Sequence, residues 1–438
     1  MHAAPADARR GVCRARVRSA FGARARGWIP GLVSQRAGRW WPWLVAVGGL
    51  AVLCVSNGLV ISGITAFDEA LLGEFGWARG ELKLRDLITL LLTGLFAPFG
   101  GAIVDRFGVR PLLVVGSLLL AAGCLGYAQA TALWQVYAIH AGFALALVCC
   151  GVNVAVIMVA RWFDVRRGLA IGIVVTGTSV GGMLLTPLLT ALIAAHGWRE
   201  AFHLAAALAL LLWPIAAWLA RPPAAFAARA TAVVDGRWHA ALRTRAFWTL
   251  AAIAALGFYA MLGVIASLRL HLIDLGATPA QASAGFAWLM AMALCGKFAF
   301  GALADRWRDE RVLVLNLAVM LTGCLLLAAS SPDWTTPAAT LLGLGWGGLF
   351  TLVQLRAVDR FGLTHAGKLM GVITLIDASA GGLGAWLTNR LHAGAAGGYQ
   401  CAYQLIATLV ACALLVAILS ARAARFAAPA GQSSRETR

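Results

Sequence analysis

Charge is scarce in this chain. Only 12% of its 438 residues are Asp, Glu, Lys or Arg, where a soluble protein carries about a quarter. A soluble enzyme is thereby excluded. A second, water-facing domain is excluded as well: the longest polar stretch between apolar runs, Arg221 to Arg245, is too short to bury a core. No Gly-x-x-x-x-Gly-Lys-Ser/Thr loop occurs, so ATP-driven work has no support. No His-Glu-x-x-His is present for metal-assisted hydrolysis. Nine cysteines form no Cys-x-x-Cys pair with a nearby His, and eight sit inside apolar segments. They read as small buried hydrophobes, and neither a metal nor a cofactor is expected.

What is present is apolar. Hydrophobic residues make up 61% of the chain and come in runs near twenty long, enough to cross a bilayer as helices. Only helices suit such runs, because backbone groups in lipid must be satisfied within their own segment. The net charge of +18 would suggest nucleic acid in a soluble protein. Here it is spread over loops and tails, and Arg outnumbers Lys 33 to 3, a composition bias and not a binding patch. No nucleic-acid partner is expected.

The apolar runs and their punctuation predict an all-α membrane protein of twelve spans. The first six are placed at 42–66, 82–104, 111–130, 133–160, 167–195 and 200–220. The second six are placed at 246–270, 280–304, 311–330, 335–358, 367–389 and 399–421. The domains follow: a basic tail 1–41, a six-helix bundle 42–220, a linker 221–245, a second bundle 246–421 and a tail 422–438. Trp41, Trp43, Trp134, Trp162, Trp198, Trp248 and Trp334 cluster at span ends, as an interfacial belt does. Assigned alternately, one set of loops collects sixteen Lys and Arg and the other six. The richer set belongs to the cytoplasm, with both termini, in a multi-pass protein of the cell inner membrane.

Residues 1–40 hold nine arginines and one acid. They suit a cytoplasmic tail touching anionic lipid, an Arg-rich transit peptide, or a reading frame opened upstream of the true start.

One hexapeptide pattern occurs twice, two hundred residues apart: Gly101-Ala-Ile-Val-Asp105-Arg106 and Gly301-Ala-Leu-Ala-Asp305-Arg306. Each copy ends an apolar run and opens a basic one. An acid at a helix C-terminus is unfavourable unless another helix's N-terminus or an arginine holds it. Gly100 and Gly101 let two backbones approach closely. These features describe a latch between helices, made in one state and broken in another, and a duplicated chain of two related halves.

The pattern Gly101-x-x-x-Asp105-Arg106-x-Gly108-x-Arg110 resembles the loop 2–3 signature of the major facilitator superfamily, with Asp305-Arg306 a weaker second copy. Arg161-Trp-Phe-Asp-Val-Arg-Arg-Gly168, Gly177-Thr-Ser-Val-Gly-Gly182, Glu74-Phe-Gly-Trp77 and Gly343-Leu-Gly-Trp-Gly-Gly348 resemble the monocarboxylate porter and oxalate/formate antiporter group. The resemblance implies two pseudo-symmetric six-helix bundles around a central site, a small organic anion as substrate, and a proton or counter-substrate as driving partner. It also implies a substrate-binding basic residue in the eighth span, the place of Lys297, with Ala293 where an acid is found and Ile61 nearest the basic position of the first span.

Charge placement adds a separate clue. All charged residues except Lys297 and Asp377 read as tails, loops or outer turns. Ionisable groups inside a membrane are functional candidates by default. Lys297 lies roughly 12 Å and Asp377 roughly 15 Å from the same side, at 1.5 Å per residue. They are expected to meet, Lys297 receiving the anion and Asp377 neutralising it when empty or exchanging a proton. A static pair and a snorkelling lysine are the plainer readings. Asn57, Asn153 and Gln354 are weaker binding candidates, as apt to join two helices. Arg85 and Asp86 read as interfacial, and His140 and His203 as satisfied or interfacial. The expectation is a monomeric secondary transporter in membrane lipid. Drug export, import of larger anions such as siderophores, and a non-transporting sensor are the alternatives.

Overall fold

A computed structural model describes residues 40–99, 104, 106–163, 167–219, 242–307, 309–392 and 398–427. Its elements are α1 (Trp41–Asn57), α2 (Asp68–Phe75), α3 (Arg79–Phe96), α4 (Val109–Ala128), α5 (Leu133–Cys150), α6 (Val152–Ala160) and α7 (Arg167–His196). They continue with α8 (Trp198–Leu210), α9 (Leu212–Trp218), α10 (Arg245–Asp274), α11 (Pro279–Arg306), α12 (Asp309–Ala328), α13 (Pro332–His392) and α14 (Gln400–Ala427). Among the described residues there is no strand.

Local chemistry sets the ends. Thr278 accepts from Gln281 N at 3.2 Å while the Gln281 side chain accepts from Thr278 N at 2.9 Å, a capping box with Pro279 as first helical residue. Glu81 reaches back to Ala78 N at 3.0 Å and starts α3. Gly76, at φ +66°, closes α2 with its N–H on Leu72 O at 3.0 Å. A left-handed terminator of this kind favours glycine because other residues carry a Cβ penalty.

The first span differs from its expected limits. It runs to Phe75, because a π turn (Gly58–Ser62) and a 3₁₀ turn (Gly63–Phe67) carry the chain from α1 into α2 without leaving helical geometry. Gly58 packs against Gly181 so closely that a Cβ would sit 2.8 Å from the Gly181 Cα. Asp68, expected in a loop, therefore lies inside a helix.

Among the described residues, ten segments are long and apolar enough to cross a membrane. The second and sixth expected spans exist as α3 and α8–α9. The first carries five charged residues between Arg79 and Asp86, and the second is divided into two short pieces. Span ten and span eleven are Pro332–Ala357 and Gly371–His392, with helical backbone throughout α13. Leu349 meets Gly257 and Gly381 meets Leu262, five residues further along α10. A straight helix would hold positions 349 and 381 roughly 48 Å apart at 1.5 Å per residue. The chain thus doubles back within α13.

The helices fall into two groups, α1–α9 and α10–α14, meeting where α3 packs on α13 and α7 on α11. Exchanging the halves maps the second span onto the eighth and the eleventh onto the fifth. The two seams are therefore the same contact repeated, as the duplicated hexapeptide implies. The loop end of both copies is called the basic face below, after Arg106, Arg110 and Arg306.

Candidate functional site

Two sets of buried charges lie between the faces. In the first, Asp68 of α2 meets α3 as it runs back from Gly76. The Asp68 carboxylate is 2.5 Å from Lys83 Nζ and accepts a short hydrogen bond from Arg85 Nη2, and all three side chains are fully buried. Asp86 completes the group at 3.4 Å from Lys83 Nζ and 3.5 Å from Arg85 Nε. Arg85 also donates to Tyr127 OH at 3.3 Å and Ile64 O at 3.4 Å. Tyr127 OH lies 2.7 Å from His140 Nε2, and Thr89 Oγ1 lies 2.7 Å from His140 Nδ1. Because Tyr127 accepts from Arg85, its own proton points to Nε2, so a neutral imidazole protonated at Nδ1 satisfies every partner. His140 is a satisfied histidine, as expected. Arg85 and Asp86 correct the expectation: they are not interfacial. The helix begins at Arg79, three residues before the predicted limit, which carries both inward by a turn.

The halves are tied at the face opposite the basic one. Arg79 of α3 grips Asp274 of α10 through two hydrogen bonds of 2.6 and 2.7 Å. Arg79 also lies 3.1 Å from His392 Nε2 and donates to Tyr399 OH at 3.3 Å, and Tyr399 donates to Asn389 Oδ1 at 2.7 Å. Deeper, Arg269 donates from Nη1 to Thr65 O at 2.5 Å and from Nε to Ser283 Oγ at 2.9 Å. Ser283 in turn meets Thr190 Oγ1 at 2.7 Å. This face is closed. Partly exposed bidentate pairs contribute about 1 kcal/mol. Asp274→Asn is expected to raise the population open at this face about fivefold, read as faster labelling of a single cysteine placed at Ile61. Unchanged labelling would show that the pair is not a gate.

Between the halves a small cleft is lined by Ile61, Asp86, Thr89, Leu262, Ile265 and Ala385, among others, and Asp86 is its one ionisable lining residue among the described residues. Ile61 is thus a cleft residue with an apolar side chain.

Lys297 and Asp377 are buried, each 7% exposed. Lys297 Nζ crosses to α7, donating to Thr178 Oγ1 at 2.8 Å and Val175 O at 3.0 Å, with Phe350 beneath it at 5.3 Å. It does not snorkel. Among the described residues it makes no ion pair, with Asp377 or with any other acid. The expected meeting is not seen here, because the lysine's reach is taken up by the seam with α7. Of the weaker candidates, Asn57 Nδ2 donates to Ser56 Oγ at 3.4 Å, Asn153 is exposed and Gln354 is partly buried. Gly177 and Gly181 pack on the carbonyls of Leu50 and Cys54. Gly177-Thr178-Ser179-Val180-Gly181 has the spacing of a hydrolase nucleophile turn, yet it runs inside α7 with no strand before it.

Of the latch residues, Gly101 and Asp105 lie outside the described residues, as do the tail 1–39, most of the linker 221–245 and the side chain of Asp305. Arg106, Arg110 and Arg306 are exposed. Gly108 turns at φ +80°, a conformation its lack of Cβ permits. Of the tryptophans at span ends, Trp134, Trp248 and Trp334 are exposed and Trp198 is not. Trp198 is buried with its Nε1 donating to Glu74 Oε2 at 2.5 Å, beside an Arg199–Glu74 pair of 2.8 Å.

Sequence reasoning missed Asp68, Lys83, Arg269 and Arg356 as buried charges. A usable signal existed for one group: Lys83 is one of only three lysines, in a helix whose other face is continuously apolar.

The family model described as Major Facilitator Superfamily matches residues 50–385. Monocarboxylate transporter 11 of Mus musculus is 29% identical over 376 residues, spanning 80% of this chain and 81% of that one. The Homo sapiens protein of the same name is 34% identical over 182 residues, 41% of this chain and 38% of its own length. The Fujikurins efflux protein of Gibberella fujikuroi is 28% identical over 348 residues, 76% of this chain and 72% of that one. Among solved structures, a bacterial homolog of the human lysosomal transporter Spinster, inward-facing and occupied, superposes with a TM-score of 0.69 at 16% identity. It covers 88% of this chain and 98% of that one, and it shares the fold.

Proposed function

Because the chain belongs to the major facilitator superfamily, a family of membrane transporters and not of enzymes, we propose that it carries a small organic anion of the monocarboxylate class by alternating access, driven by proton coupling or exchange. The observation that carries this reading is Lys297: a buried cation held by two neutral acceptors and by no acid among the described residues. Such a group is expensive in a membrane unless a ligand completes it. A carboxylate replacing Thr178 Oγ1 and Val175 O would form a charge-assisted hydrogen bond, roughly twice as strong as a neutral one. It would also release the α7–α11 seam, which couples binding to movement of the halves.

Asp377, buried at similar depth but not paired with Lys297 here, would supply the opposing charge in another state of the cycle, and Asn57, Asn153 and Gln354 are the polar groups that would orient the substrate. The loop Gly101 to Arg110, with Asp305 and Arg306, serves as the latch at the basic face. That face and both termini lie in the cytoplasm, in an inner membrane, with the protein acting as a monomer. The similarity to a fungal efflux protein favours export as a second reading.

Purified protein in liposomes separates these readings. Uptake of formate, acetate, lactate, pyruvate and oxalate is to be measured with and without a pH gradient. At least one is expected to accumulate saturably, and no uptake or exchange of any would overturn the carboxylate reading.

A further inference from the structure

We infer that Asp86 is the carboxylate that takes up the coupling proton, at the edge of the central cleft and paired with a buried cluster that balances it. The inference rests on the carboxylate reading above.

The cluster holds two cations, Lys83 and Arg85, and two acids, Asp68 and Asp86. The acids are unequal. Asp68 is fully enclosed and in close contact with both cations. Asp86 stands off at 3.4 and 3.5 Å, keeps 12% of its side chain exposed and lines the cleft. Asp68 is thus a fixed counter-ion, while Asp86 can change its charge without opening the packed interior.

The ionisable groups around Asp86 come from every neighbouring element. Lys83 and Arg85 share its helix, and Asp68 reaches in from α2. Tyr127 of α4 and His140 of α5 connect through Arg85 and Thr89 and do not line the cleft. On α10, Arg269 is one turn beyond the cleft residue Ile265. On α13, Asp377 is eight residues, roughly 12 Å, from Ala385.

Charge counting gives the order of events. The empty cluster is neutral. A carboxylate bound at Lys297 adds one negative charge to the interior between the halves, and the carrier in that state resists reorientation. A proton taken as hydronium from the aqueous phase, with water as the leaving molecule, converts the Asp86 carboxylate to the acid and restores the count. The loaded carrier then holds one proton and one monoanion and differs from the empty one by no net charge. Release on the other side returns both, and Asp86 again balances Lys83 and Arg85. The linkage is reciprocal: the anion favours the proton, and the proton favours the anion. A metal cation would crowd Lys83 and Arg85, whereas a proton adds no contact to them.

The test uses the full chain in liposomes with pyranine inside and the five carboxylates as probes. Wild type is expected to bring protons in with its best-carried probe and to accumulate it down a pH gradient. Asp86→Asn is expected to keep exchange of labelled for unlabelled probe within about threefold while its gradient-driven accumulation falls to the equilibrium ratio. Asp86→Glu is expected to recover accumulation. Accumulation by Asp86→Asn at the wild-type level overturns the inference. So does loss of exchange along with accumulation, which is what a purely structural acid would give. So does uncoupling by Asp377→Asn in place of Asp86→Asn. If wild type carries none of the probes, the carboxylate reading itself has failed, and this is seen before any variant is made.

Discussion

Replacing Lys297 by Gln is expected to reduce carboxylate transport by at least tenfold, in both net uptake and exchange, with little change in folding. Gln keeps donors for Thr178 Oγ1 and the Val175 carbonyl, so the neutral seam seen here survives. What it removes is the positive charge. A hydrogen bond to a charged group is worth about 1.5–3 kcal/mol, or roughly 10–100-fold in affinity. Loss in exchange as well as in net uptake separates this residue from Asp86, whose amide variant keeps exchange. Initial rates across a range of probe concentrations check the prediction, and a wild-type rate at limiting substrate would remove Lys297 from the site. A thermal unfolding curve close to wild type is part of the expectation, since Lys297 is held by neutral acceptors alone among the described residues.

Asp68→Asn is expected to behave oppositely, with a large loss of stability. Asp68 is the one carboxylate in close contact with both Lys83 and Arg85, and none of the three side chains is exposed. Removing one partner of a buried pair leaves the other charges uncompensated, at about 3–5 kcal/mol. The expected result is a melting temperature in detergent lower by roughly 10 °C, on the usual scaling of free energy with unfolding entropy. Little folded protein should then survive purification. Asp86→Asn, in the same cluster but on α3 and at the cleft, is expected to fall by far less. Equal stability of Asp68→Asn and wild type would mean that the cluster is not a structural unit.

The fold was legible because membrane helices announce themselves. Apolar runs of the right length leave few other structures possible, and most span limits agree within a few residues. The misses have physical causes. The expected first span stops at Ala66 because sequence does not display a π turn followed by a 3₁₀ turn, and that leaves Asp68 in a loop. The second span was started too late because Arg79, Glu81, Lys83, Arg85 and Asp86 look like a solvated helix end. Counting residues inward from the repeated hexapeptide found Lys297 and its burial, but depth along an axis says nothing of direction around it. Lys297 and Asp377 sit at similar depth and yet make no pair. The cluster around Asp68 was out of reach because its pairings join α2 to α3, and charge balance in space is invisible in a linear list of charges.

The interrupted first helix carries a genetic consequence. Arg85 from one half and Arg269 from the other both end on main-chain oxygens of that interruption, Ile64 O and Thr65 O. A carbonyl is present whatever residue occupies position 65, so no side-chain change there can delete the acceptor. The same tie can be lost by a single codon change at Arg269. Tolerance to substitution across this contact should therefore be lopsided: permissive on the half that accepts, and strict on the half that donates.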